Sequence, residues 1–86
     1  MPYDPWKDVS DEELFARRSE AEAKLDTCQL VQAALLAFIL KWSGVPAMAA
    51  LVAAFQKAVD TYDFYIKKYT SIITAITVEL AERGLV

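Results

Sequence analysis

The feature that most constrains this 86-residue chain is an unbroken stripe of apolar and aromatic residues in its second half. Between residues 48 and 80 the stripe recurs at alternating spacings of four and three, the period of a coiled coil or a long helical bundle. It predicts one continuous helix from about 46 to about 82. The ten members of the stripe, predicted to form the packing seam of this helix, are Met48, Val52, Phe55, Val59, Tyr62, Ile66, Tyr69, Ile73, Ile76 and Leu80.

The composition of this seam favours a multi-helix bundle over a two-stranded zipper. A zipper prefers leucine at alternate seam positions, whereas Phe55, Tyr62 and Tyr69 fill three of them here. The apolar face is also wider than a zipper needs, because four further residues lie beside the seam at heptad spacing: Leu51, Ala58, Tyr65 and Ile72. We therefore expect the helix to pack in a bundle that includes other chains.

A first helix is predicted from about 11 to about 41. Ser10 can cap its first turn by accepting from the backbone N–H of Glu13, and the acids that follow Ser10 suit the positive end of the helix dipole. No glycine or proline then occurs before Gly44. Residues 1–9 precede any periodic pattern and are predicted to form an extended N-terminal arm.

The two helices are separated by a turn at about 42–45. Gly44 is a candidate for the left-handed conformation that ends many helices, and Pro46 suits the first turn of the next helix. Ser43, Gly44 and Pro46 are therefore the predicted turn residues. Because a short turn makes two long helices antiparallel neighbours, residues 10–86 should form a single all-α domain, a long antiparallel helical hairpin.

The end of the hairpin beside the turn is unusually apolar. Hydrophobic residues make up 56% of the chain, and Lys41 is the one charged residue between positions 30 and 55. A single partner helix cannot cover apolar groups on every side of another helix, so we expect other chains to do so. Together with two apolar residues opposite the seam, this tip predicts a second contact surface: Leu36, Leu40, Trp42, Phe64 and Val78.

Residues with the chemistry of an active site are scarce. The chain has no histidine, and its one cysteine, Cys28, falls on the apolar stripe of the first helix, which is typical of an inert core thiol. Glu13 with Arg17 and Asp63 with Lys67 have the spacing of ordinary helix ion pairs. We predict no catalytic, cofactor-binding or metal-binding residue and no enzymatic activity.

Charge and the N-terminal sequence limit the partners. A net charge of −3 without a basic stripe argues against nucleic acid, and Met1-Pro2-Tyr3-Asp4 lacks the basic start of a signal peptide. The compartment stays open, with a soluble or assembly-bound protein favoured over a membrane protein.

The mid-chain turn Trp42-Ser43-Gly44, together with Phe55-Gln56-Lys57-Ala58 in the second helix, resembles the WXG100 proteins. These are small secreted helical hairpins of specialised bacterial secretion systems that dimerise into four-helix bundles. The resemblance implies a secreted dimer. The chain departs from the family pattern near its C-terminus, where Tyr69 is followed four residues later by Ile73 in place of an acid.

Three functions are compatible with these features, and the first is favoured. The chain is a non-enzymatic structural or interaction subunit that forms a homo-oligomer or docks into a hetero-assembly, such as a virus particle or a large complex with accessory subunits. Alternatively, it is a membrane-associated hairpin that inserts residues 30–55, a stretch close to spanning length that Lys41 and the turn interrupt. The third is the secreted WXG100-like dimer. All three require the hairpin and differ in what covers the tip.

Overall fold

The computed structural model describes residues 5–86 and is all-helical over that range. Helix α1 comprises Asp11–Trp42, a single 3-10 turn comprises Pro46–Met48, and helix α2 comprises Ala49–Glu82. The predicted all-α class and the two long helices are confirmed. The second helix starts three residues later than predicted, because its first residues form the tighter 3-10 turn.

Helix α1 begins as its sequence predicts. The Ser10 hydroxyl accepts from the Glu13 backbone N–H at 3.2 Å, and Ser10 itself has extended backbone angles, as a capping residue should. The Glu13 carboxylate accepts from Arg17 Nε at 2.8 Å, one turn further on. The Asp63–Lys67 pair of α2 also forms, at 3.1 Å.

The turn between the helices does not use Gly44 in the predicted way. Gly84, with φ of 75°, is the glycine in the left-handed region among the described residues, and Gly44 is not. The reversal is made by Ser43, whose φ of −64° and ψ of 57° form an inverse γ-turn. As a result, the N–H groups of Gly44 and Val45 both donate to the Trp42 carbonyl at 3.2 Å.

The two helices pack against each other along their length. The face of α1 that meets α2 repeats every seven residues, with Leu14, Ala21 and Cys28 buried. Near the turn, the Phe38 and Phe55 rings lie 4.4 Å apart. Midway, Gln32 Nε2 donates to the Val59 carbonyl at 3.1 Å. The two helices are therefore antiparallel. Residues that face each other across the pair have numbers that add up to about 92, as for Phe38 with Phe55 and Gln32 with Val59.

The best-covered part of the hairpin is the open end, where α1 begins and α2 ends. Leu14, Ile76 and Leu80 are fully buried there, and Trp6, Val9 and Ile72 pack against them.

Residues 5–8 form turns, and Val9 N–H donates to the Trp6 carbonyl at 3.3 Å. This part of the predicted extended arm is therefore folded back onto the helices. Trp6 covers buried side chains at the open end that two helices alone would leave exposed. Residues 1–4 of the predicted arm lie outside the described residues.

The hairpin is long and thin. Its dimensions are 56 × 24 × 14 Å and its radius of gyration is 17.9 Å, compared with about 12 Å for a compact domain of this length. Its accessible surface is 6152 Å², whereas a folded monomer of this mass exposes about 5,100 Å². The chain therefore exposes about 1,000 Å² more than a compact monomer of its size would.

Candidate interaction surface

The predicted seam of α2 lies against α1. Val52, Ile76 and Leu80 are buried, and the seven other seam residues are half-buried. The seam is therefore occupied by the chain's own first helix. Any further chain must use surfaces beside or behind it.

The residues predicted as a second contact surface are exposed but do not lie together. Leu36 and Leu40 are exposed near the turn, whereas Phe64 is exposed midway along α2 and Val78 near its end. Trp42 is half-buried, 6.2 Å from the Phe38 ring. Val78 is level with the start of α1, so it lies about 40 Å along the hairpin from Leu40. The set therefore divides between a tip and isolated residues.

The tip, defined as residues 30–55, exposes several large apolar side chains. Leu30 is 75% exposed and Leu40 is 84% exposed, and Leu36, Val45 and Leu51 are also exposed. Lys41, the one charged residue of this region, lies over the Trp42 ring, with Nζ 5.2 Å from the ring centroid. A cleft of about 380 Å³ at the turn is bordered by Trp42, Pro46 and Val52.

A second feature is a groove between the helices on one broad face of the hairpin, which we call the tyrosine face. The groove has a volume of about 560 Å³, and Cys28 forms part of its lining. Three tyrosines of α2 and four further residues of α1 complete it: Tyr62, Tyr65, Tyr69, Glu20, Ala23, Lys24 and Thr27. Its lining is apolar, with charged groups along the α1 side.

Aromatic and cationic contacts order this face. The Tyr62 and Tyr65 rings meet edge to face at 6.3 Å, and the Phe64 and Tyr65 rings do so at 5.7 Å. Lys24 and Lys68 each place Nζ 5.9 Å from the centroid of the Tyr69 ring. The sequence placed Tyr62 and Tyr69 in the seam and Tyr65 beside it, but their arrangement around a groove depends on the packing of α1.

The charges beside the groove are paired. Glu20 Oε1 accepts from Lys24 Nζ at 2.9 Å. That hydrogen bond lowers the pKa of Glu20 and raises the pKa of Lys24, so both stay charged at neutral pH.

Arg83 holds the open end together, and sequence reasoning did not find it. Its Nη1 donates to Asp11 Oδ1 at 2.8 Å and its Nε to Glu79 Oε1 at 3.0 Å. Its Nη2 donates to the carbonyls of Trp6 and Lys7 at 3.1 and 2.9 Å. The hydrogen bond with Asp11, followed by the bond with Glu79, raises the pKa of Arg83.

Glu79 is the other residue that the sequence analysis missed. It is buried, and its Oε2 has no hydrogen-bond partner. The available signal was the four-residue spacing from Glu79 to Arg83, which is the spacing of a helix ion pair. The contacts that Arg83 makes with the N-terminal segment required the tertiary structure.

Metal and membrane features were also sought within residues 5–86. No group of three or more potential metal-ligating side chains occurs in this part of the chain. Helix α1 is long and apolar enough to cross a bilayer, with an 18-residue window of mean hydropathy 1.4, of which 6% is buried in the hairpin. Because the tip includes the C-terminal part of α1, the apolarity and exposure of this helix bear on what covers the tip.

No protein-family model, curated protein or solved structure matches this chain. The likeness of its turn to the WXG100 proteins therefore stays a prediction. By its fold, the protein is an all-α hairpin of two helices.

Proposed function

We propose that this chain is a non-enzymatic helical subunit that acts by packing against other protein chains in a homo-oligomer or a larger assembly. The observation that carries the proposal is the uncovered tip. Leu30 and Leu40 are among the most apolar residues of α1, yet each keeps at least three quarters of its surface exposed. Several exposed large apolar side chains at one end of a protein favour an interaction site there.

The elongated shape supports the same function. A hairpin with about 1,000 Å² of extra exposed surface has not completed its core within one chain. Full burial of one leucine side chain contributes about 1.5–3 kcal/mol, so covering even part of the tip gives a large driving force for association.

Protein is favoured over lipid as the cover because of Lys41. Residues 30–42 of α1 span about 20 Å, so a tip inserted from one side would carry Lys41 deep into the hydrocarbon layer. A lysine at the centre of a membrane helix costs about 2.5–3.5 kcal/mol on insertion scales. At a protein interface, the ammonium group can stay over the Trp42 ring and reach water at the rim.

Membrane insertion of residues 30–55 is the second candidate. The apolar window in α1 favours it, since that window meets the length and hydropathy of a spanning helix while remaining almost uncovered by α2. Under this alternative lipid replaces the partner chains, and the hairpin would bind vesicles without any other protein.

The two candidates are separated by light scattering coupled to size-exclusion chromatography of protein purified without detergent, alongside flotation with phosphatidylcholine vesicles. We expect a defined soluble oligomer and no flotation. Recovery in the vesicle fraction would contradict the proposal, and a monomer at every concentration would exclude its homo-oligomer form.

The role of the tip is tested by the double variant L30Q/L40Q. We expect this variant to form a smaller or weaker assembly, because both leucines are highly exposed and outside the hairpin core. The matched control is V78Q, which changes an exposed apolar residue at the open end and should leave the assembly intact. Equal effects of both variants would show that the tip is not the contact.

A further inference from the structure

The tyrosine face differs from the opposite broad face along α2 between residues 51 and 77. Four residues that immediately precede seam positions lie on the flank of the tyrosine face, and all are apolar: Leu51, Ala58, Tyr65 and Ile72. The series ends there, because the next such residue is Glu79. Four residues that immediately follow seam positions lie on the opposite flank, and all are polar: Gln56, Asp63, Thr70 and Thr77. Over this length α2 therefore has an apolar flank on the tyrosine face and a polar flank on the opposite face.

The apolar flank is accessible. Leu51 and Tyr65 are exposed, and Ala58 and Ile72 are half-buried. Because the four residues are seven apart, they form a line about 32 Å long on α2. At the intervening positions, Ala54 and Thr61 have small side chains that leave room for the side chains of an approaching helix, whereas Lys68 lies over the Tyr69 ring.

Helix α1 continues the apolar surface on the same side. Thr27, which borders the groove, is followed at helical spacing by Val31, Ala34 and Phe38. The groove of about 560 Å³ thus opens into a longer apolar strip that runs toward the tip.

We propose that a second copy of this chain packs on the tyrosine face, so that two hairpins form a four-helix bundle. This inference rests on the proposed function and names its first partner and surface. Stable specific interfaces bury about 1,200–2,000 Å² in total, which is roughly 600–1,000 Å² on each partner. The whole hairpin exposes about 1,000 Å² more than a compact monomer of its size, so its surface can supply an interface of this class.

The charges on this face suit a symmetric partner. Glu20 and Lys24 both border the groove, and a twofold axis would present the same two charges from the second copy. A face with both signs avoids the repulsion that a single-sign face would have against itself. Twofold dimers with the same patch on both subunits are the commonest oligomers.

The test is sedimentation equilibrium of the full chain and of two lysine variants on opposite faces of α2. We expect wild type to sediment at twice the chain mass. Y65K should raise the dimer dissociation constant at least about 30-fold, the effect of losing a hot-spot residue. T70K, which adds the same charge at an exposed position on the polar face, should leave the constant within about threefold of wild type.

Circular dichroism of each variant checks that the helices persist, and L51K provides a second variant on the tyrosine face if Y65K unfolds. A wild-type monomer would overturn the proposal, as would a dimer that T70K weakens as much as Y65K. A larger assembly that requires a different chain would also overturn it.

A dimer whose dissociation constant is unchanged by both Y65K and L51K would overturn the tyrosine face while leaving the proposed function intact.

Discussion

The two ends of the hairpin are built from the same two helices but are stabilised very differently. At the open end three side chains are fully buried, and Trp6 and Val9 add a third layer over them. At the tip the sequence is more apolar, yet Leu30 and Leu40 remain largely exposed. Hydrophobicity alone therefore does not produce burial. Two helices cover one face of each other, and further cover requires another segment.

The helix termini repeat this contrast. At the open end Ser10 caps α1, and α2 ends in a Schellman motif in which Leu85 N–H donates to the Leu80 carbonyl at 2.9 Å. At the tip, α2 begins after Met48 with no side-chain cap. The open end supplies the interactions that fix the hairpin within one chain, whereas the tip presents surface.

The largest expected effect comes from deleting a core side chain at the open end. L80A should lower the free energy of unfolding by about 2–5 kcal/mol, because Leu80 is fully buried against Leu14 and Ile76. L40A at the tip should change it by less than about 0.5 kcal/mol under conditions where the chain is monomeric. Urea denaturation at fixed protein concentration measures both, and equal losses would remove the difference between the ends.

The next effect concerns the Arg83 contacts. R83K keeps the charge but cannot hold Asp11, Glu79 and two backbone carbonyls at once, so its unfolding midpoint should fall between those of L80A and wild type. Because the pKa of Arg83 is raised, the guanidinium is fully charged, and its charge stabilises the fold, at every pH well below the ordinary arginine pKa. Its own titration therefore adds no pH dependence between acid and neutral conditions. K67Q is the control, and a midpoint shift no larger than that of K67Q would show that these contacts are dispensable.

A smaller effect separates the two glycines. G84A should cost about 1 kcal/mol, because φ of 75° strains any residue with a Cβ although no atom lies within 4 Å. G44A meets the same open space without positive φ, so it should be neutral or raise stability by up to about 1 kcal/mol. Thermal unfolding of the pair by circular dichroism measures the difference. The reverse order would mean that the turn, and not the C-terminus of α2, needs the left-handed residue.

The smallest effect belongs to the exposed Glu20–Lys24 pair. Because the pKa of Glu20 is lowered and that of Lys24 is raised, their contribution is complete between about pH 5 and pH 10 and is lost beyond either limit. E20Q should therefore shift the unfolding midpoint less than L80A, R83K or G84A, and 1 M salt should reduce the shift. A shift that persists at high salt would indicate a contact other than the ion pair.

Much of the hairpin could be predicted from local sequence. Ser10 marks the start of α1, and Pro46 marks the resumption of helical structure, because capping and proline geometry act within a few residues. The seam of α2 was also predictable, because heptad spacing is a local property of the sequence. Gly44 was assigned the wrong conformation, since an inverse γ-turn at Ser43 gives the same reversal without a left-handed residue.

The candidate site was less predictable. The tyrosines were visible as an aromatic block, but the groove depends on how α1 lies beside them. Arg83 contacts Asp11 from 72 positions away in the sequence, and no local pattern reports such a pair.

The sequence by itself therefore determined two long helices, a short turn between them and an apolar tip, because period, caps and composition are local properties of the chain. The tertiary structure alone decided which apolar residues are covered. It also decided that Trp6 and Arg83 close the open end and that one broad face keeps an apolar groove. Burial depends on contacts between distant segments, and within residues 5–86 a third layer of chain is present at the open end alone.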